Sequence, residues 1–591
     1  MIMLHLQDTK KIKTALDITL IALAIGATFI IVTLTGFYIS DSLFELLSKI
    51  AEYIIILFAV QEFARLLFVK KFKAYLRTRW FELLLAFSFV MNEIFNRPLL
   101  WFVQNLFGNI KPHTVILLYL LITVIVMLVA VMIKIVRRNY LLSRIKLHPG
   151  ALFAISFGIM ILVGSLLLSM PKATVPTADF SYLDSLFTST SAVCVTGLIV
   201  VDTATQFTLL GKIIILFLIQ IGGLGVMTIT TFFALFFGSG LSYRFRIVIG
   251  DLMSEDSIGE VGSLLKRIAL FTFIIELIAA ANLYFSLASE YLPIDRGLLF
   301  NSVFHSVSAF CNAGFSLYST NLMDNAIINN FWFNFNIMIL IILGGIGFPV
   351  LVNLTRSFKR ENRRRKWGDR LNINTKIVLL TTAVLLTGGA ILFFFTDLSS
   401  PLLGDNLAEK LYNSIFLSIT SRTAGFNTIA MESITPAAAL LVIALMWVGA
   451  SPNSTGGGIK TSTFAVAFMY LMTYIRGRDK LNIFWREIDM LTVRKAYMII
   501  FSSLIVLFAS TFILIWIEPD KNMLDLLFEA TSAMSTVGLS RDVTFHLGTG
   551  GKWVIIALMF MGRIGILTFF LAFFRPKLEP KYKFPKENIV M

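Results

Sequence analysis

Cysteine, histidine and charge are scarce in this chain of 591 residues. The two cysteines exclude a disulfide scaffold and a cysteine-rich metal site. The five histidines, His5, His113, His148, His305 and His546, show no ligand spacing on one helical face, so neither a metalloenzyme nor a resident cofactor is expected. Only 15% of the residues are charged and 57% are hydrophobic, which excludes a soluble globular domain and a disordered chain. A net charge of +16 would suggest nucleic acid for a soluble protein. In a bilayer it instead reports orientation, because cytoplasmic loops gather Lys and Arg, so lipid and not nucleic acid is the expected surrounding.

What the chain has in abundance is long apolar runs. Crossing about 30 Å of hydrocarbon takes roughly 20 residues, and twelve runs approach that length: Asp17 to Ile39, Phe44 to Phe68, Phe81 to Phe95, Thr114 to Ile135, Ala151 to Met170, Phe207 to Phe237, Leu264 to Leu287, Phe331 to Leu354, Asn374 to Thr396, Ala437 to Tyr474, Ala496 to Ile517 and Lys552 to Phe574. The first has no small-residue cleavage site and reads as a retained anchor. Lys and Arg concentrate in the segments on the N-terminal side, most densely at Arg356, Lys359, Arg360, Arg363, Arg364, Arg365, Lys366 and Arg370, so both termini are expected in the cytoplasm. That basic run reads as a solvated loop obeying topology, or as a docking surface for a partner or anionic lipid.

Between neighbouring spans lie four stretches too short to cross a membrane and too apolar for ordinary loops. The first carries Phe187, Ser191, Ala192 and Gly197; the second Phe304, Ser308, Ala309 and Gly314; the fourth Phe528, Ser532, Ala533 and Gly538, all at one spacing. The third, with Phe416, Thr420, Ser421 and Gly425, is one residue shorter. Each unit therefore reads as span, re-entrant half-helix, span, and lipid tolerates such a loop only when protein or a water-filled pore surrounds it. Four units around one axis would aim half-helix C-termini at a cation, with the carbonyls that follow replacing its hydration shell. Those stretches are Val195, Thr196, Gly197; Asn312, Ala313, Gly314; Thr423, Ala424, Gly425; and Thr536, Val537, Gly538. None carries a carboxylate, so a filter for a monovalent cation is favoured over a calcium-type ring.

The span after each half-helix carries small residues: Gly222, Gly223, Gly225; Gly344, Gly345, Gly347; Gly456, Gly457, Gly458; and Gly562, Gly565. Close helix packing is the plain explanation, and their regular place beyond the filter glycine adds a pore-lining one. Two units break the pattern. In the fourth, Arg563 stands where glycine is found elsewhere, and reads as an electrostatic barrier or as one half of a structural ion pair. In the third, the polar insert from Gly449 to Lys460 interrupts the span; it is expected to line a cavity and to serve as a movable gate. Glu276, inside an apolar span, is either functional or a hydrogen-bonded structural group, and Cys194 and Cys311 are expected as free thiols.

The filter stretches, the glycine clusters, the run from Gly449 to Thr461 and the place of Arg563 resemble the Trk/Ktr/HKT superfamily of potassium transporters, closest to the bacterial Trk and Ktr membrane subunits. The resemblance spans about Ala151 to Phe574. It implies a homodimer with one pore per subunit, potassium uptake, an intramembrane gating loop and a cytoplasmic ring of nucleotide-binding regulatory subunits. It assigns potassium to the four filter stretches and gating to Gly456, Gly457, Gly458, Lys460 and Arg563. A serine at the first filter glycine accompanies sodium transport in the plant branch, so Gly197 favours potassium.

The expected organisation is an all-α polytopic membrane protein: four N-terminal transmembrane helices over 1–148, pore repeats over 149–255, 256–370, 371–490 and 491–575, and a cytoplasmic tail over 576–591. The N-terminal spans lack an arginine ladder and read as a packing or assembly module. A sodium- or proton-coupled potassium symporter is the alternative function, and no catalytic constellation points to an enzyme.

Overall fold

The computed structural model describes residues 2–67, 149–176, 180–237, 261–288, 296–325, 327–357, 371–396 and 406–573, with scattered positions between them. Most of the predicted spans from Phe81 to Phe95 and Thr114 to Ile135, most of the basic run after Arg356, and nearly all of the tail from 576 lie outside these residues. The chain divides into two compact units, Met1–Lys146 with Met170–Ala173, and Leu147–Ser169 with Thr174–Met591.

In the first unit, α1 (Ile2–Gly36) and α2 (Asp41–Leu67) pack through Leu20, Ala24, Ala27 and Ile31 against Ala51, Ile55 and Phe58. Arg65 on α2 donates to the Leu16 carbonyl at 2.8 Å and pairs with Asp17 at 3.3 Å. A charge within an apolar bundle is thus neutralised locally, as low dielectric demands.

Among its described residues the second unit is helical apart from one short hairpin, Asn482–Ile483 with Arg486–Glu487, and an isolated bridge between Thr174 and Phe207. Repeat one comprises α3 (Pro149–Leu168), half-helix α4 (Tyr182–Cys194) and α5 (Leu209–Phe237). Repeat two comprises α6 (Val261–Ala288), half-helix α7 (Arg296–Phe310), α8 (Phe331–Ile346) and α9 (Phe348–Ser357). Repeat three has α10 (Ile373–Thr396), half-helix α11 (Leu407–Thr420), α12 (Pro436–Trp447) and α13 (Thr461–Ile475). Repeat four has α14 (Met490–Ile517), half-helix α15 (Met523–Ser535), α16 (Thr549–Ile564) and α17 (Ile566–Phe573).

The all-α polytopic expectation holds. By length and composition Ala15–Gly36, Arg267–Ala288, Ile373–Thr396 and Met490–Ile517 are long and apolar enough to cross a membrane. Large apolar side chains such as Phe273, Phe285, Phe395, Phe508 and Trp516 stand exposed on these helices, the composition of a lipid-facing surface.

The second span of three repeats is broken where the sequence reads as continuous or merely interrupted. In repeat two, α8 and α9 meet at 96°. The break falls at Gly347, with φ +94°, and Gly565 breaks repeat four with φ +90°. A positive φ ends the helix, and glycine adopts it without a Cβ penalty. Repeat three breaks over the insert between Trp447 and Thr461.

Buried clusters join neighbouring repeats. Phe187 and Ile215 of repeat one pack with Ala533 and Met559 of repeat four; Phe333 and Ile337 with Phe416 and Phe426; Ala438 and Met446 with Phe528 and Val537. Two of these junctions are also stapled by charge. Lys552 reaches Asp184 at 2.6 Å, joining repeats four and one. Arg541 pairs with Asp525 at 2.6 Å and donates to the Met431, Glu432 and Ile434 carbonyls of repeat three at 3.2 to 3.3 Å.

Candidate functional site: a ring of four glycine stretches

The four half-helices are 13, 15, 14 and 13 residues long. Phe187, Phe304, Phe416 and Phe528 are fully buried on them, and this apolar wedge seats each half-helix in the bundle. After each C-terminus the chain turns twice into the left-handed region. The glycines do so with φ of +90° at Gly197, +68° at Gly314, +78° at Gly425 and +95° at Gly538. Two residues earlier Val195, Asn312, Thr423 and Thr536 do the same, with φ from 50° to 71°. Three of these are β-branched, for which this conformation is a true outlier costing on the order of 1 to 3 kcal/mol.

Helix capping offsets part of that cost. In repeat one the Val195 N–H donates to the Ala192 carbonyl at 3.1 Å and the Thr196 N–H to the Ser191 carbonyl at 2.8 Å. Repeats two and four make the same pair of bonds, a Schellman cap with a side chain where glycine usually stands. The shorter third repeat closes differently, with the Ala424 N–H on the Thr420 carbonyl at 3.1 Å.

The hydroxyls of the repeated signature brace the stretch from behind. Ser191 and Ser532 accept from the N–H of Gly197 and Gly538 at 3.0 and 3.1 Å. Ser308 and Thr420 instead donate to the carbonyls of Phe315 and Phe426 at 2.7 and 2.5 Å.

The four glycines close a ring. A Cβ on Gly197 would meet the Ala313 carbonyl oxygen at 2.5 Å; on Gly314, that of Ala424 at 2.9 Å; on Gly425, that of Val537 at 2.6 Å; and on Gly538, that of Thr196. Each glycine therefore abuts the backbone of the next repeat, and the fourth returns to the first. All four line one cavity of about 380 Å³ together with Asp202, Glu432 and Asp542, whose carboxylates place negative charge at its mouth. Within the ring, the buried hydroxyls of Thr196 and Thr536 find no protein partner among the described residues.

Close beneath lies the insert. A side chain on Gly456 would strike the Thr423 hydroxyl, and one on Gly457 the Thr536 hydroxyl. Three backbone bonds anchor the insert to repeat two. Thr455 N–H and Ser451 N–H donate to the Gly344 and Gly345 carbonyls at 3.3 and 3.0 Å, and Phe348 N–H donates to Asn453 at 3.2 Å. Lys460 Nζ folds back onto the Gly456 carbonyl at 2.7 Å.

Arg563 is buried, and its guanidinium donates to the Thr455 carbonyl of the insert and to the Gly222 carbonyl of repeat one. The ion pairs of the described residues do not include it, so two carbonyls stand where an acidic partner was one expectation. A second buried arginine escaped the sequence reading: Arg422, immediately before Thr423, donates to the Gly449 carbonyl at 3.3 Å. Its only signal was an arginine beside a filter stretch.

The glycine clusters serve close approach first. A Cβ on Gly222, Gly344 or Gly562 would collide with the carbonyl oxygen of Val193, Phe310 or Met534, the last turn of the half-helix in the same repeat. Repeat three packs differently: a Cβ on Gly449 would meet the Gly457 carbonyl of the insert and not the half-helix. Glu276 accepts from Gln220 Nε2 at 3.1 and 3.2 Å, and Cys194 and Cys311 are buried free thiols.

A bundle of membrane helices that folds four backbone stretches into a ring, free of carboxylates and capped by an acidic mouth, defines a multi-pass membrane protein of the cation-transporting class. Residues 129–582 match the family model TrkH, described as cation transport protein, and the chain belongs to that family. It is 38% identical over 439 residues to Ktr system potassium uptake protein B of Bacillus subtilis, covering 74% of this chain and 95% of that protein. It is 35% identical over 454 residues to the potassium/sodium uptake protein NtpJ of Enterococcus hirae, covering 76% and 98%. The fold is similar to the crystal structure of the potassium transporter TrkH from Vibrio parahaemolyticus, with a TM-score of 0.58 and 15% identity over 89% of this chain and 98% of that one. The chain is a transporter and not an enzyme.

Proposed function

We propose that the chain mediates potassium uptake across the cell membrane through the glycine ring, with the insert as its gate. The observation that carries this reading is the closed circuit Gly197, Gly314, Gly425, Gly538, in which every glycine touches the next repeat's backbone. Paired left-handed residues turn successive carbonyls to one side, where they can replace a water shell. Potassium fits the donor set: carbonyls and threonine hydroxyls, neutral oxygens suited to a weakly hydrated monovalent ion. The relatives' names, potassium uptake protein B and potassium/sodium uptake protein, support the same substrate.

The gating reading rests on Gly456 and Gly457 lying against Thr423 and Thr536, with Lys460 and Arg563 adding positive charge below the ring. An ion leaving the ring inward meets the insert, which must move. The remaining parts of the proposal are a homodimer, both termini in the cytoplasm, and control by a cytoplasmic nucleotide-binding partner; the basic segments support the orientation and the family resemblance supports the assembly.

The test is potassium uptake by a transporter-deficient cell expressing this chain alone and then with candidate regulatory subunits. Absence of uptake in every combination, at verified membrane expression, refutes it. The sodium in the name of one relative favours a second reading, sodium-coupled potassium uptake. Isotope uptake at clamped voltage with and without sodium separates the two.

A further inference from the structure

One residue position above the glycine ring is organised differently in alternate repeats. Two residues beyond each filter glycine stand Ile199, Ser316, Asn427 and Ser540, and all four line the outer cavity. The two serines belong to repeats two and four, which are diagonal in the ring. Each is tied to a buried titratable side chain nine residues before its filter glycine, His305 and Glu529. The equivalent positions in the other repeats, each directly after the signature phenylalanine, are Thr188 and Leu417, which make no such tie.

Proton accounting fixes how these serines face the mouth. His305 Nδ1 lies 2.9 Å from the Asn301 carbonyl, which can only accept, so Nδ1 carries the hydrogen. Nε2 is then an acceptor, 3.1 Å from Ser316 Oγ, with the Leu317 N–H also directed at it from 3.5 Å. The Ser316 hydroxyl therefore spends its proton on the histidine. Its oxygen accepts the Tyr318 N–H at 3.0 Å and keeps one lone pair.

In repeat four, Glu529 Oε1 meets the Ser540 hydroxyl and Oε2 the Thr544 hydroxyl at 2.7 Å, while Ser540 and Thr544 are 3.0 Å apart. An ionised Glu529 takes both hydroxyl protons. A protonated one closes a cycle in which each oxygen passes its proton to the next. In either state the Ser540 proton stays inside the triangle and a lone pair remains for the cavity.

We infer that Ser316 and Ser540 form an outer binding site for a monovalent alkali cation, two hydroxyl oxygens held as acceptors across the mouth by the positioning residues His305 and Glu529. The site takes the ion while it still holds part of its water, before the carbonyl ring replaces the rest. Two neutral oxygens on a diagonal suit that intermediate step better than a complete cage would, since partial hydration leaves space for water from the sides. This inference rests on the glycine ring being the ion path.

The experiment is rubidium uptake into proteoliposomes containing the full-length chain, with KM and maximal rate measured separately. Ser316→Ala with Ser540→Ala should raise KM about tenfold and hold the maximal rate within about twofold, because neither the ring nor the insert below it is touched. Ser540→Thr keeps the hydroxyl and should retain the KM of the unmodified protein. Glu529→Gln can donate to Ser540 and turn its proton toward the mouth; it should raise KM, and combining it with Ser540→Ala should add nothing further. An unchanged KM in the double serine variant, or a fall in maximal rate at constant KM, overturns the site. Gly197→Ser is the control for the underlying reading. If it alters selectivity while the serine variants keep the KM of the unmodified protein, only the outer site fails; if neither alters transport, the filter reading fails as well.

Discussion

Replacing Arg563 by alanine should accelerate transport, and the structure gives a scale for the effect. The guanidinium bridges the Thr455 carbonyl on the insert and the Gly222 carbonyl on repeat one, so it fastens the insert, the proposed gate, to the wall opposite its own attachment. A hydrogen bond from a charged group contributes about 1.5 to 3 kcal/mol, and about 1.4 kcal/mol is a tenfold change in an equilibrium. Losing the Thr455 bond alone should raise the open population by roughly ten- to a hundredfold, until the gate is mostly open. Removing the positive charge acts in the same direction on a passing cation.

Arg563→Lys separates the latch from the charge. Lysine keeps the charge but lacks the planar fork that reaches two carbonyls from different repeats. The latch predicts that Lys behaves more like Ala than like the unmodified protein. The assay is initial rubidium uptake at matched membrane expression. If Lys transports at the unmodified rate and only Ala is fast, the charge alone matters. If Ala is no faster in a folded protein, both arguments fall.

Gly197→Ser should lower potassium preference over sodium, since a Cβ there lies 2.5 Å from the Ala313 oxygen and displaces one carbonyl of the ring; unchanged relative permeability counts against the assignment. Deleting Asn453 to Gly457 should raise basal uptake and weaken control by a cytoplasmic partner, and a deletion that stays slow and equally regulated shows the gate to be elsewhere. Gly562→Val should reduce the yield of folded protein, because its side chain collides with the Met534 carbonyl; overpacking of this kind costs about 1 to 3 kcal/mol. A detergent melting curve identical to that of the unmodified protein would show that the helix has room to shift.

The half-helices and their glycines were legible because the same four residue types recur in register in three repeats, with a close variant in the third, which chance does not supply. The breaks at Gly347 and Gly565 were not. A lone glycine in an apolar span reads as a packing residue, and what bends the chain at Gly347 is a tertiary bond from Phe348 to Asn453, more than a hundred residues away. The left-handed Val195, Thr423 and Thr536 were hidden for the opposite reason, since β-branched residues are the ones local propensity places elsewhere. Arg422 has no counterpart in the other repeats, so comparing them gave it no weight.

A pore assembled from four separate identical subunits must display every side chain four times. Had Arg563 been repeated in that way, four guanidinium groups would crowd one axis, each pair at ~8 Å repelling by about 2 kcal/mol at an effective dielectric near 20. Because one polypeptide supplies all four quarters, the stations matching Arg563 hold Gly223, Gly345 and Ala450. The symmetric ring is thus served by a single lever on one side. A mutation in one quarter is not copied into the other three, so the proposed gate can be retuned by one codon while the ring above keeps its four glycines.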